Sequence, residues 1–146
     1  MADIPEEHLT EELLEPLLAS ASIEQYLDEG LVSARTLTDY LFDRMEAHDL
    51  RRADVVRASG LNATVVYDIF SGKSRPGRDH AIMLAFGLKC TLRETQRLLR
   101  LAGVSELWCK QRRDAIIIWC IRNGFDRIAT DDELYRMGEA TLLPAD

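Results

Sequence analysis

Residues 52–72, RADVVRASGLNATVVYDIFSG, contain the most informative pattern in this chain. Two short segments with helical apolar periodicity flank Gly60. The apolar positions that two packed helices would bury are Val55, Leu61, Val66 and Ile69. Glycine adopts a positive φ without a Cβ clash, so one helix is expected to end at Gly60 and a second to begin just after it. The stretch therefore predicts two short helices that meet at a large angle.

The chain around this stretch has the length and composition of one compact unit. Its 146 residues are 47% apolar, which is enough to bury a core. The expected parts are an acidic helical arm at 1–35, a core at 36–104 and a C-terminal helical hairpin at 105–146. The three cysteines, Cys90, Cys109 and Cys120, show no CxxC spacing, so neither a disulfide framework nor a zinc site is predicted. We expect a cytoplasmic protein, since no signal peptide is recognisable and the longest apolar run, 116–121, is too short to cross a bilayer.

The formal net charge of −7 is unevenly distributed along the chain. Residues 1–31 carry nine acidic and no basic side chains, whereas residues 51–78 carry six basic and two acidic ones, a local balance of +4. The local charge of residues 51–78, and not the net charge of the chain, therefore bears on whether the protein binds a polyanion. The basic cluster has a plainer interpretation as a solvated face, but it lies next to the helix pair.

Capping signals predict an all-α fold. Capping boxes begin at Ser22, Thr91 and Thr130. The glycines that follow apolar-periodic segments, and so mark helix ends, are Gly60, Gly87, Gly103 and Gly124. The predicted helices are 10–18, 23–29, 36–48, 50–59, 62–70, 78–87, 91–102, 106–123 and 131–138. The run IIIWCI at 116–121 is expected to lie in a buried helix and, with Trp108, in the core, and residues 112–114, RRD, are expected to form a surface ion cluster.

The spacing within the opening stretch is that of a helix-turn-helix. Counted from Arg52, the fourth, ninth, tenth, fifteenth and eighteenth positions are Val55, Gly60, Leu61, Val66 and Ile69. Phe70-Ser71-Gly72 and Arg75-Pro76 follow the second helix. In these residues the chain resembles the Cro/C1-type (XRE-like) helix-turn-helix proteins of bacteria and phages, over about residues 36–102. The resemblance implies a lambda-repressor-like five-helix core whose second motif helix enters the major groove of duplex DNA.

The resemblance also implies which residues contact DNA. Arg52 matches a phosphate-contacting position, and the exposed positions of the second helix match those that face the bases. With the neighbouring basic residues, the expected contact set is Arg51, Arg52, Asn62, Ala63, Thr64, Tyr67, Asp68, Ser71, Lys73, Arg75 and Arg78. Two departures weaken the match, because Val56 replaces a small residue where the helices cross, and Asp68 would repel phosphates. Base recognition is therefore expected from Asn62, Thr64, Tyr67 and Ser71.

No catalytic or cofactor-binding pattern accompanies the motif. Ser59 has no base at a recognisable spacing, and His8, His48 and His80 share no metal-ligand spacing. The sequence has no Gly-rich phosphate loop, paired-carboxylate signature or HExxH motif. We therefore expect no enzyme activity, cofactor or metal.

Taken with the resemblance, these features imply a bacterial or phage transcriptional regulator that binds duplex DNA as a homodimer. The alternative is a protein-binding adaptor that retains the helix-turn-helix fold without DNA binding, because a fold does not fix a function. The acidic arm also has two interpretations. In the first, its helices pack on the domain with their carboxylates in water. In the second, the arm either competes with DNA for the basic segment or docks a basic protein partner.

Overall fold

The structure is a computed structural model that describes residue 19, residues 21–23 and residues 36–144. The chain divides after residue 35 into two units, and all the helices below belong to the second. The predicted helices at 10–18 and 23–29, and the capping box at Ser22, fall almost entirely outside the described residues. Between residues 36 and 144 the chain forms helices and no strand, so the all-α prediction is confirmed there.

The second unit contains seven helices in chain order. They are α1 Leu37–Ala47, α2 Arg52–Ser59, α3 Ala63–Phe70, α4 Arg78–Gly87, α5 Leu92–Leu101, α6 Arg112–Arg122 and α7 Arg127–Arg136. The first five agree with the predicted helices to within two residues. No helix among the described residues has the length and apolar character needed to cross a membrane.

Local capping explains where several helices begin and end. Thr91 begins α5, because its hydroxyl accepts a hydrogen bond from the Glu94 amide at 3.2 Å and the Glu94 carboxylate accepts one from the Thr91 amide at 2.9 Å. Gly60 ends α2 with a φ of 81°. The predicted capping box at Thr91 and the predicted helix end at Gly60 are thus confirmed, and Gly103 and Gly124 also have positive φ.

Two predicted helix starts in the C-terminal part are wrong. Helix α6 begins at Arg112 rather than near residue 106, because Gln111 caps it by accepting from the Asp114 amide at 2.7 Å. The backbone of Leu107 is instead held by the side chain of Gln96, at 2.7 and 2.9 Å. Helix α7 begins after Asp126, which accepts from the Ala129 amide at 2.8 Å, so Thr130 is a buried residue within the helix and not its cap.

Gly87 does not end a helix by adopting a positive φ, as the sequence suggested. It is the last residue of α4, and the residue with a positive φ is Lys89, at 57°. A Cβ on Gly87 would lie 2.8 Å from the carbonyl oxygen of Val55 and 2.9 Å from the Cβ of Ser59. Gly87 is therefore required for the close approach of α4 to α2.

The core of the unit is built around α4. Its residues 81–85 are all buried, and α2, α5 and α7 pack against it. Phe70, Leu41 and Leu98 add large buried side chains from α3, α1 and α5. Each such side chain contributes roughly 1.5–3 kcal/mol on burial, so this shared core holds the helices that flank the α2–α3 turn.

The C-terminal hairpin, α6 and α7, is attached to α4 by two partly buried ion pairs. Arg78 contacts the Asp114 carboxylate at 2.6 and 3.0 Å, and Arg113 contacts Asp79 at 2.9 and 3.1 Å. Asp114 is 3% exposed. The prediction of a surface ion cluster at 112–114 is therefore wrong for Asp114, whose partner lies 36 residues away in the sequence.

The apolar run 116–121 is helical as predicted, but its aromatic residue is not in the core. Ile117 and Cys120 are buried in α6, whereas Trp119 is 54% exposed. Trp108, also predicted to lie in the core, is 59% exposed. The core prediction is wrong for both tryptophans. Trp119 lies on the exposed side of α6, because only one side of that helix packs on α5 and α7, and Trp108 lies in the loop before α6.

Candidate nucleic-acid interface

The α2–α3 turn is organised by Ser59 and Asn62. The buried Ser59 hydroxyl donates to the Val56 carbonyl at 3.2 Å and accepts from the Leu61 amide at 3.1 Å. Asn62 is exposed and caps α3, since its Oδ1 accepts from the Val65 amide at 3.2 Å. This role of Ser59 was not predictable from the sequence, because its hydrogen-bond partners depend on the conformation of the turn.

Helix α3 buries one side and exposes the other. Val66, Ile69 and Phe70 face the core. The predicted DNA-contacting residues that are exposed on or beside this helix are Asn62, Ala63, Thr64, Tyr67 and Ser71, and Asp68 is half-buried. Because residues three and four apart share a side of a helix, Thr64, Asp68 and Ser71 form one polar stripe, and Ala63 and Tyr67 form the neighbouring one. Val56, which replaces the small residue expected where the two helices cross, is half-buried and packs against the core.

One contact links the outer surfaces of the two helices. The guanidinium carbon of Arg52, at the first position of α2, lies 5.1 Å from the centre of the Tyr67 ring on α3. Tyr67 is 45% exposed, and Arg52 is exposed. This distance is within the range of cation–π attraction.

Four of the predicted basic residues lie exposed around this pair. They are Arg51, Arg52, Lys73 and Arg75. Within residues 36–144, no carboxylate forms an ion pair with any of them, whereas the nearby Arg57 pairs with Asp54 at 2.7 Å. Asp54 also accepts from the Arg51 amide at 2.9 Å, and this hydrogen bond lowers the pKa of the Asp54 carboxyl. The four cations are therefore available to an anionic ligand.

Arg78 differs from the other predicted contact residues. Its guanidinium donates to Asp114 and also to the carbonyl oxygens of Ser105 at 2.9 Å and Glu106 at 3.0 Å. Nearly all of its hydrogen-bonding capacity is thus used within the protein. The presence of Arg78 is therefore explained by its role in attaching α6 to α4, and no ligand contact is needed to explain it.

A cluster of titratable groups outside the helix pair lies between α1 and α5. Glu94 contacts Arg44, and its carboxylate lies 3.3 Å from Nε2 of His48. Burial alone would raise the pKa of Glu94, but its hydrogen bonds to the Thr91 amide and His48 and the charge of Arg44 hold that pKa below its usual range. Burial raises the pKa of the neighbouring Cys90 thiol to about 12, so this thiol is not a nucleophile at neutral pH.

No group of three or more metal-ligating side chains occurs in the described part of the chain. A groove of about 310 Å³ lies between α6 and α7, lined mainly by Ala115, Ile116, Trp119 and Met137 and bordered by Glu133 and Arg136. Its lining is mostly apolar and contains no catalytic combination of residues.

Comparison of the chain with protein-family models, with curated proteins and with solved structures finds no match in any of the three.

Proposed function

We propose that this chain is a transcriptional regulator that binds duplex DNA through α2 and α3, acting as a homodimer. In this proposal α1–α5 form a lambda-repressor-like helix-turn-helix core, and α3 enters the major groove while α2 crosses the backbone. The resemblance to Cro/C1-type proteins at residues 52–76 motivates the arrangement.

The observation that carries the proposal is the combination of an exposed polar stripe with unpaired cations beside it. Thr64 offers a hydroxyl group that suits base edges, and the Ser71 hydroxyl, which donates to the Asp68 carbonyl at 3.1 Å, is left to accept a hydrogen bond there. Arg51, Arg52, Lys73 and Arg75 flank the pair, where phosphates would lie beside a helix in the groove. Arg78 is omitted from the proposed contacts because its guanidinium is engaged with Asp114, Ser105 and Glu106.

A second candidate function is a protein-binding adaptor with the same fold. The groove between α6 and α7 favours it, because Trp119 beside the groove is 54% exposed and exposed aromatic side chains are typical of protein interfaces. The two functions differ in what they predict for nucleic acid. An adaptor has no reason to bind duplexes, and any residual affinity would be independent of Arg75.

Fluorescence anisotropy with labelled genomic duplexes at increasing salt tests the proposal. Each phosphate neutralised contributes a slope of roughly −0.9 to log K against log salt, so four cations predict a slope of roughly −3 to −4. Arg75→Ala is expected to reduce the magnitude of the slope by about one unit. Arg122→Ala, which removes an exposed arginine at the end of α6, is the matched control and should leave it unchanged. Absence of binding at low salt, or a salt-independent affinity, would favour the adaptor.

A further inference from the structure

We infer that Tyr67 is a positioning residue that holds the Arg52 guanidinium in place for a phosphate, rather than a residue that recognises a base. The inference rests on the proposed function and assigns to Tyr67 a role different from the one the resemblance implied. It follows from the contact between the two side chains and from what else surrounds each of them.

Tyr67 supplies the specific contact that fixes the Arg52 side chain. Arg52 lies at the first position of α2 and is exposed. Within residues 36–144 it forms no ion pair, because Asp54, the acidic residue nearest in sequence, is engaged with Arg57 and the Arg51 amide. The Tyr67 ring, 5.1 Å from the guanidinium carbon, is therefore the group that orients it.

The position of Tyr67 on α3 suits this role. Thr64, Asp68 and Ser71 lie on the side of α3 opposite the buried Val66 and Ile69, whereas Tyr67 lies on the flank of that stripe, one helical turn after Ala63. On that flank its ring reaches the start of α2. Ala63, one helical turn before Tyr67, has only a methyl side chain, which is too small to cover the Tyr67 ring.

A guanidinium can contact a ring and a phosphate at the same time. The flat face of the guanidinium stacks on the aromatic ring, and its N–H groups point outward in the plane, where they donate to phosphate oxygens in pairs. An Arg52 guanidinium held against the Tyr67 ring is thus already oriented before DNA arrives and loses less side-chain entropy on binding. Tyr67 would then strengthen binding to every duplex equally, because a phosphate contact carries no information about base sequence.

A double-mutant cycle on the full-length chain tests the coupling. The variants are Tyr67→Leu, Arg52→Ala, the double variant and Tyr67→Phe, each measured by anisotropy on two duplexes of unrelated sequence. The strength typical of an exposed cation–π pair corresponds to roughly a two- to fivefold change in affinity. Tyr67→Leu should weaken binding by that factor on both duplexes, and it should have no further effect when Arg52 is already Ala. Tyr67→Phe keeps the ring and should match the parent.

Independent effects of Tyr67→Leu and Arg52→Ala, or a Tyr67→Phe variant as weak as Tyr67→Leu, would overturn the inference. A Tyr67→Leu effect confined to one duplex would overturn it too, since that result indicates base recognition. Circular dichroism of each variant checks that the fold is retained.

A measurement without DNA separates failure of the inference from failure of the proposed function. The Tyr67 ring current should shift the NMR signals of the Arg52 δ-methylene protons upfield in the parent and in Tyr67→Phe, and the shift should vanish in Tyr67→Leu. If the shift is absent, the positioning contact does not exist, whatever the protein binds. If the shift is present and the parent binds no duplex at any salt concentration, the proposed function is wrong, and the positioning role is overturned with it.

Discussion

Asp68 places a carboxylate between Thr64 and Ser71 on the outward stripe of α3. Its backbone carbonyl accepts from the Lys73 and Ser74 amides at 2.9 and 3.2 Å, so the residue also fixes the loop that carries Lys73. These hydrogen bonds involve the main chain and do not require the carboxylate. The side chain can therefore be neutralised without disturbing the loop.

Asp68→Asn is expected to raise the affinity for duplexes of any sequence by about fivefold at 0.01 M salt. The reason is that two like charges about 4 Å apart repel each other by about 1 kcal/mol in water, which corresponds to a factor of about five in binding. The gain should shrink at 0.2 M salt, where screening is stronger. Asp132→Asn on α7, an exposed carboxylate outside the helix pair, is the control and should bind like the parent. An unchanged or weaker affinity of Asp68→Asn would argue that Asp68 accepts a hydrogen bond from a base or does not face DNA.

At the scale of helices, the arrangement of α2 depends on the contact of Gly87 with Val55 and Ser59. Gly87→Ala puts a methyl group 2.8 Å from a backbone carbonyl, so α2 and α4 must move apart. We expect the free energy of unfolding to fall by about 1–3 kcal/mol, which is typical of overpacking a core. Urea denaturation followed by circular dichroism measures this change.

Gly77→Ala is the matched control for that substitution. Gly77 precedes α4 with a φ of −71°, and nothing lies within 4 Å of a Cβ added there. Its free energy of unfolding should fall by only about 0.5–1 kcal/mol, which is the cost of replacing glycine with the poorer N-cap residue alanine, because no packing is disturbed. If the two variants prove equally stable, the close approach of α2 and α4 is not what requires glycine at residue 87.

These elements also indicate how far the sequence alone leads. Thr91 and Glu94 satisfy each other's amides within four residues, so the start of α5 is predictable from the sequence. The partners of Gly87 and Arg78 lie 27 or more residues away, so the sequence suggests a helix end for one and a DNA contact for the other. Local patterns encode helix ends, whereas helix crossings and buried ion pairs depend on tertiary contacts that no short motif contains.

The same distinction applies to the candidate interface. The spacing from Val55 to Ile69 predicts which residues of α3 are buried, and Val66 and Ile69 are buried as expected. The 5.1 Å contact between Arg52 and Tyr67 was not predictable, because it depends on the angle at which two short helices meet. The Asp126 cap of α7 was missed for a simpler reason, since its partner Ala129 lacks the acidic side chain that completes a capping box.

At the scale of the whole molecule, the charge of the chain resides in its first 35 residues. Residues 36–146 carry 17 basic and 16 acidic side chains, a balance of +1, whereas residues 1–35 carry one basic and nine acidic side chains, a balance of −8. The net charge of −7 thus says little about the unit that contains α2 and α3. The negative charge of residues 1–35 acts on a polyanion at long range, and its effect depends on the ionic strength.

Neutralising part of the arm should therefore strengthen DNA binding at low salt. In the full-length chain, five arm residues are changed to glutamine: Glu6, Glu7, Glu11, Glu12 and Glu15. A carboxylate and a phosphate that are about 20 Å apart repel each other by about 0.2 kcal/mol in water, so five carboxylates and several phosphates at such a separation predict at least about a tenfold gain. The gain should be largest at 0.01 M salt, where the Debye length is about 30 Å, and should fall towards none as the Debye length drops to about 10 Å at 0.1 M.

The charge-preserving change of the same five residues to aspartate is the control for this experiment. It alters the side chains at the same positions and keeps their charge, so its affinity should follow that of the parent at every salt concentration. Equal affinities of the glutamine variant and the parent would rule out repulsion of DNA by the arm. A gain that persists unchanged at 0.1 M salt would also contradict long-range repulsion, because screening weakens interactions between distant charges far more than those between groups in contact.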